Sequence, residues 1–226
     1  TRSKVRKRLP AQLAYILEEL VTESQADHQQ KEHYYTSIVE HIVALGEGEN
    51  FITTLAYVIQ SLVVDRLYVL GDIFDRGPAA ERVMDRLMEY HYVAIQWGNH
   101  DISWMGAASG GDALIANVIR LSLRYGNIET LTDGYGISLR RLLNFAETAY
   151  AGDPSSLFVP KDDSSLEHYS RVSIARMHKA ITIMQFKLEA QIIQRHPEYV
   201  MNDRMLLDGI DLATGQCTID GVAYPL

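Results

Sequence analysis

The chain has 226 residues, 47% hydrophobic and 22% charged, an ordinary globular balance with room for one domain with a sizeable core or for two small ones. Five of its basic residues (Arg2, Lys4, Arg6, Lys7, Arg8) fall in the first eight positions, and the other 16 face 29 acidic residues in a chain of net charge −8, which argues against general nucleic-acid binding. No apolar stretch reaches the ~18 residues of a membrane span, TRSKVRKRL is not followed by a small-residue cleavage site, and the single Cys217 fits a reducing cytoplasm; neither nucleic acid nor membrane is expected as a partner.

Three helices are predicted first. Residues 10–22 open with Pro10 and repeat Leu13, Ile16, Leu17 and Leu20 at helical spacing; residues 27–45 repeat Tyr35, Ile38, Val39, Ile42 and Leu45; a third helix, capped by Asn50, carries Leu55, Val58, Ile59 and Leu62. The basic start reads as a solvated helix face. His28, His33 and His41 are spaced too irregularly for one helical face, so they read as surface or satisfied core histidines rather than metal ligands.

Residues 66–105 hold the chemistry. Leu67–Leu70 and Val93–Gln96 are short apolar runs that read as buried strands, and between them Ala79–Tyr90 carries Val83, Met84, Leu87 and Met88 as one helical stripe. Strand, helix and strand make one parallel βαβ unit, whose carboxyl edge is where open α/β sheets bind ligands. Further on, helices are expected after GNHD, from Asp112 as a cap to Tyr125, and from Ile137 to Tyr150. NIETLTDGYG (127–136) reads as a turn-rich loop and residues 151–165 as a mobile linker or lid. A long helix follows from Leu166 to Arg195, then a hairpin from Cys217 to Tyr224 turning at Asp220-Gly221. The fold class expected is α/β and helix-rich, in three parts: a helical insertion or cap (1–64), a βαβ core segment (65–125) and a helical region with a long helix and terminal hairpin (126–226).

Both strands end in polar clusters, Gly71-Asp72-Ile73-Phe74-Asp75-Arg76-Gly77 and Gly98-Asn99-His100-Asp101. A shared carboxylate and an amide oxygen suit a dinuclear divalent site that generates hydroxide for attack on phosphorus: Asp72 would bridge the metals and Asn99 would bind one of them. Arg76 would hold phosphate oxygens through its planar fork, His100 would protonate the leaving alkoxide, and Asp75 would orient the His100 ring. Asp101 is as well placed to cap the next helix as to take part.

GDIFDRG and GNHD resemble the central signatures of the calcineurin-like metallophosphoesterases, which implies the same roles for Asp72, Asn99 and His100. The longer stretches DRLYVLGDIFDRGP, YHYVAIQWGNHDISWMGAASG and LRYGNIETLTDGYGISLRRLL, with TRSKVRKRLPAQLAYILEEL and MQFKLEAQIIQRHPEY on either side, resemble the bacterial class III fructose-1,6-bisphosphatases over essentially the whole chain. The resemblance implies a partial metallophosphoesterase core with flanking helical segments, a dinuclear manganese or magnesium centre in the full-length enzyme, a sugar bisphosphate substrate and a place in gluconeogenesis. It also implies that loop 127–136 helps recognise sugar phosphate; Tyr135 reads equally as a surface aromatic, and Arg140 and Arg141 as solvated.

The superfamily's upstream Asp-x-His and its downstream histidine motifs have no counterpart here, so the metal site is half encoded and the chain reads as an internal fragment, inactive alone. Two alternatives stand beside this reading. One is a protein serine/threonine phosphatase or dinucleotide polyphosphate hydrolase, against which GNHD rather than GNHE and the long helical flanks argue. The other is a non-catalytic helical module for assembly or regulation. Unpaired edges and unburied helix faces lead us to expect self-association.

Overall fold

The computed structural model describes residues 7, 9–11, 14–22, 25–161, 169–205, 207–219 and 221–225. It divides into two compact units, one of Thr1–Val69 with Tyr90–Ala94 and one of Leu70–Glu89 with Ile95–Leu226. The fold is helix-rich with a small two-stranded parallel sheet, as the α/β reading expects.

In the first unit, α1 (Ala14–Thr22), α2 (Gln25–Ala44) and α3 (Gly48–Val63) form where helices are predicted and bury Leu17, Tyr35 and Val58, but Val39, Leu45 and Ile59 of the predicted apolar stripes are exposed. Asn50 does not cap α3. The helix begins two residues earlier, and the Asn50 amide instead donates to Glu47 Oε2 at 2.9 Å. His33 and His41 are exposed, and the side chain of His28 lies outside the described residues. Strand β1 (Leu67–Val69) pairs with β2 (Val93–Ile95), where the Leu67 amide donates to the Tyr92 carbonyl at 3.0 Å. No single helix among the described residues is long and apolar enough to cross a membrane.

The second unit holds α4 (Ala80–Met88), α5 (Asn99–Ala108), α6 (Asp112–Tyr125), α7 (Arg140–Ala149) and the long α8 (Arg171–Arg195). Its core is a layer of apolar side chains shared by α6, α7 and α8: Val118, Leu123, Leu139, Ile174, Met177 and Ile181 are all buried. Burying branched and unbranched apolar side chains of this size stabilises the fold by about 1.5–3 kcal/mol each. Asp112 is not a cap; Gly111 holds that position and Asp112 is the first helical residue. Helix α8 is capped at Ser170, whose hydroxyl accepts from the Ser173 amide at 3.1 Å, and it ends before Pro197, as predicted.

Two expectations change here. Residues 127–136 are not simply a surface loop: Thr130–Gly134 forms a π-helical turn, and Ile128, Thr130 and Leu131 are buried. Ile128 and Leu131, three residues apart in this helical segment, fall on the same inner side, which a polar turn-rich composition does not announce. The described part of the predicted linker, up to Lys161, is pinned. Asp153 accepts from the Ser155 amide at 2.7 Å and pairs with Lys179, Ser155 and Pro160 are buried, and the Lys161 amide donates to the Arg124 carbonyl at 2.8 Å. Residues 162–165 of that linker and residues 166–168 of the predicted helix lie outside the described residues; Tyr169 and Ser170 are not helical, so the long helix starts at Arg171 and not at Leu166.

The terminal hairpin has a third strand. β4 (Gln216–Ile219) pairs antiparallel with β5 (Val222–Pro225), Cys217 opposite Tyr224, and on its other side with β3 (Ile210–Asp211). Asp220, at the predicted turn, lies outside the described residues.

Buried His178 donates from Nδ1 to the Phe158 carbonyl at 2.8 Å, tying the pinned segment to α8. Burial, with the positive charges of Arg120 and Arg124, lowers its pKa below the ordinary imidazole range. Unfolding therefore takes up a proton at pH values between the depressed folded pKa and the ordinary one, so this contribution to stability is complete above the ordinary pKa and declines as pH falls. The urea midpoint of the chain should drop between about pH 7.5 and about pH 5.5, across the ordinary value of ~6.5, and drop less in His178→Gln. An equal drop in both proteins would assign the acid sensitivity to other groups.

Candidate functional site

The two polar clusters meet within the second unit because two glycines let their backbones touch. Gly71 has φ 96, and a Cβ there would lie 2.4 Å from the Gly98 amide nitrogen and 2.5 Å from the Gln96 carbonyl oxygen. A Cβ on Gly98 would lie 2.1 Å from Asp72 Oδ1. Any side chain at either position would force the clusters apart. Asp72 itself takes φ 51, a left-handed conformation that costs a residue with a Cβ about 1–2 kcal/mol, and its Oδ1 accepts from the His100 amide at 3.3 Å.

Asp101 joins the clusters from beneath. It is 1% exposed, and both carboxylate oxygens accept backbone amides: Oδ1 from Phe74 at 3.0 Å, in the first cluster, and Oδ2 from Gly98 at 2.9 Å, in the second. The bond to Gly98 is the return half of a capping box at the start of α5. The bond to Phe74, 27 residues away, makes the same side chain a clasp between loops. Asp101 is thus not the N-cap, a position Gly98 holds; it is the third residue of α5, bonded back to the cap amide and across to Phe74, a partner that local reading does not reach.

Above this clasp, Asp75 occupies the centre of the charged face. Its Oδ1 accepts from His100 Nε2 at 3.0 Å and from Arg76 Nε at 2.9 Å, and its Oδ2 faces Arg76 Nη2 at 3.3 Å. The hydrogen bond that Arg76 donates to Asp75, reinforced by the carboxylate charge, raises the guanidinium pKa of Arg76 further above the ordinary range. The structure therefore brings Asp72, Asp75, Arg76 and His100 together, with Asn99 exposed on the first turn of α5 beside them. Arg76 is engaged by Asp75 on one side and by the ring of Tyr125 on the other, its Cζ 5.4 Å from the ring centroid.

Phe74 stacks on Trp104 with ring centroids 4.6 Å apart, and Tyr135 closes the cluster at 6.4 and 6.0 Å from them. Tyr135 is 46% exposed, as a surface aromatic is, while its ring packs on this cluster; burial, and then the charges of Asp85 and Glu81, raise the pKa of its hydroxyl. Beside these rings lies an almost wholly apolar cavity of about 580 Å³, bordered by Trp97, Met105, Ile119 and Ile137.

Among the described residues no group of three or more His, Cys, Asp or Glu side chains converges as a metal site. Asp72 and Asn99 offer hard oxygen donors, but two such donors do not satisfy the coordination of two divalent ions. The donor set among the described residues does not by itself fit a dinuclear centre.

The chain matches the family described as Firmicute fructose-1,6-bisphosphatase over residues 1–226. It is similar to proteins named fructose-1,6-bisphosphatase class 3 from Clostridium tetani (52% identity over 227 residues, 100% of this chain and 34% of the relative), Listeria monocytogenes serovar 1/2a (51%; 100% and 35%) and Parabacteroides distasonis (52%; 100% and 34%). The chain spans about a third of the length of these curated relatives. No solved structure matches it.

Proposed function

We propose that this chain, which belongs to the Firmicute fructose-1,6-bisphosphatase family, contributes part of the active site of a metal-dependent phosphomonoesterase that hydrolyses fructose 1,6-bisphosphate to fructose 6-phosphate and phosphate. The observation that carries the reading is the contact of His100 Nε2 with Asp75 Oδ1 at 3.0 Å, beside the turn that presents Asp72. A phosphate ester needs a proton for its departing alkoxide. With Nε2–H held by the carboxylate, Nδ1 is the nitrogen of a protonated His100 left to deliver it.

The other roles divide by chemistry. Asp72 and Asn99 are the metal donors of this chain, for manganese or magnesium, and the remaining ligands come from outside its 226 residues. Arg76 offers a guanidinium to phosphate oxygens while Asp75 fixes its plane. Self-association belongs to the same reading, since α2 and α3 leave Val43, Leu45, Ile59 and Val63 exposed.

Calorimetric titration of manganese into the metal-free chain tests the half-site. Weak or absent binding is expected, with little further change in Asp72→Ala. Two tight sites that disappear in Asp72→Ala would show a complete centre within the chain and defeat this division of ligands. Fructose 1,6-bisphosphate hydrolysis by a protein of the relatives' full length tests the activity itself.

A further inference from the structure

Three cations from three separate elements surround one phenol. The Cζ atoms of Arg76 and Arg124 and Nζ of Lys161 lie 5.4, 6.0 and 5.4 Å from the ring centroid of Tyr125. Arg76 leaves the loop after β1, Arg124 and Tyr125 form the last turn of α6, and Lys161 arrives on the pinned segment, its amide bonded to the Arg124 carbonyl at 2.8 Å. A cation in the last turn of a helix is ordinary, because the helix dipole favours it there. That explains Arg124 but neither of the other two.

The charge balance distinguishes this patch from the rest of an acidic chain. Asp75 pairs with Arg76, and among the described residues neither Arg124 nor Lys161 forms an ion pair with a carboxylate. A hydrogen bond from Arg124, with the charges of Lys161 and Arg76 behind it, lowers the pKa of the Tyr125 hydroxyl below the ordinary phenol range, the mark of a positive local potential. Like charges held together repel unless an anion joins them. The patch is also continuous with the candidate site: steps of 3.0, 2.9 and 5.4 Å lead from His100 Nε2 to Asp75, from Asp75 to Arg76, and from the Arg76 guanidinium to the Tyr125 ring. One small molecule with a phosphate at each end can touch both.

We propose that Arg124 and Lys161, with the Tyr125 hydroxyl between them and Arg76 at the border, form the subsite for the phosphate that is not cleaved. The inference rests on the bisphosphatase reading above and assigns it a second recognition point. Arg124 supplies a planar fork to phosphate oxygens, Lys161 a compact charge, and Tyr125 a hydroxyl that donates to the same group.

The test is calorimetry on the metal-free chain with fructose 1,6-bisphosphate, fructose 6-phosphate and inorganic phosphate as separate probes. The bisphosphate should bind more tightly than inorganic phosphate, and binding should weaken with added salt. The double variant R124A/K161A should lose about tenfold or more in affinity for all three, the loss of charge-assisted hydrogen bonds. Lys161→Met, which keeps the aliphatic stem, should show part of that loss with an unchanged melting temperature. Arg204→Ala, which removes an exposed cation paired with Asp203 and outside the site, should bind as the wild type does. Equal affinities of wild type and double variant, or no binding of any probe, would overturn the subsite. Bisphosphate binding no tighter than that of inorganic phosphate would overturn its assignment to a sugar ester. Binding that depends on Arg124 and Lys161, in a full-length protein unable to hydrolyse the bisphosphate, would keep the anion subsite and remove the reading on which it rests.

Discussion

Replacing Asp101 with Ala should lower the stability of the second unit by about 3–5 kcal/mol, because two buried amide donors lose a charged acceptor at once. The Phe74 and Gly98 amides lie in different clusters, and no rearrangement of one loop can satisfy both. Asp101→Asn separates charge and hydrogen bonding from size. A carboxamide has one acceptor oxygen, so one amide stays paired while the other meets an NH₂ group, and the loss should be close to that of Asp101→Ala although the volume is kept. Asp112→Ala is the control: an exposed acid on the first turn of α6 with no capping bond, whose removal should cost only its dipole interaction, about 0.3–1 kcal/mol. Urea unfolding followed by tryptophan fluorescence reads this directly, since both tryptophans of the chain, Trp97 and Trp104, lie in the second unit beside the clasp. If Asp101→Ala and Asp112→Ala lose the same amount, the clasp is not what holds the two clusters together.

What the sequence makes legible here is what neighbouring residues settle among themselves. Two short β-rich runs ending in Gly71-Asp72 and Gly98-Asn99 announce strands and the turns that follow them, and the helices expected over 112–125, 137–150 and 166–195 announce the elements that share the core. The pairing of His100 with Asp75 was readable too, because a carboxylate and an imidazole at the ends of adjacent parallel strands have few other partners. The residues that escape are those whose partners come from a distance. Asp101 looks like a cap until Phe74 is seen, the π-helical turn at Thr130–Gly134 looks like a loop until its burial is seen, and Tyr125 looks like a helix end until Lys161 reaches it. Residues 151–161 illustrate the same limit. Their Pro, Ser and Asp content suggests mobility, but Asp153 and Phe158 each have a partner on α8 that composition cannot show.

In a protein of the relatives' full length, His100→Ala should lower kcat for fructose 1,6-bisphosphate by about 10²–10⁴-fold, the usual contribution of a positioned acid, and leave KM within a few-fold if the ring acts on the leaving group and not on binding. Asp75 is harder to interpret, because the same Oδ1 serves both His100 and Arg76. Asp75→Asn should therefore lower kcat through a poorly held His100 ring and also change KM through an Arg76 released from its partner. A double-mutant cycle separates the two paths. If Asp75 acts on turnover only by orienting His100, adding Asp75→Asn to His100→Ala should leave kcat where His100→Ala alone put it, since the ring to be oriented is gone. The KM change should persist in the double variant, because Arg76 is still released. Additive losses in kcat would mean that the Asp75 carboxylate reaches the reacting groups by a route of its own, and an unchanged kcat in His100→Ala would take the leaving-group proton away from His100 altogether. Either result can be told apart from loss of fold by the tryptophan unfolding transition, which neither substitution should move by as much as Asp101→Ala does, because His100 and Asp75 are half-buried and hold no amide of the clasp.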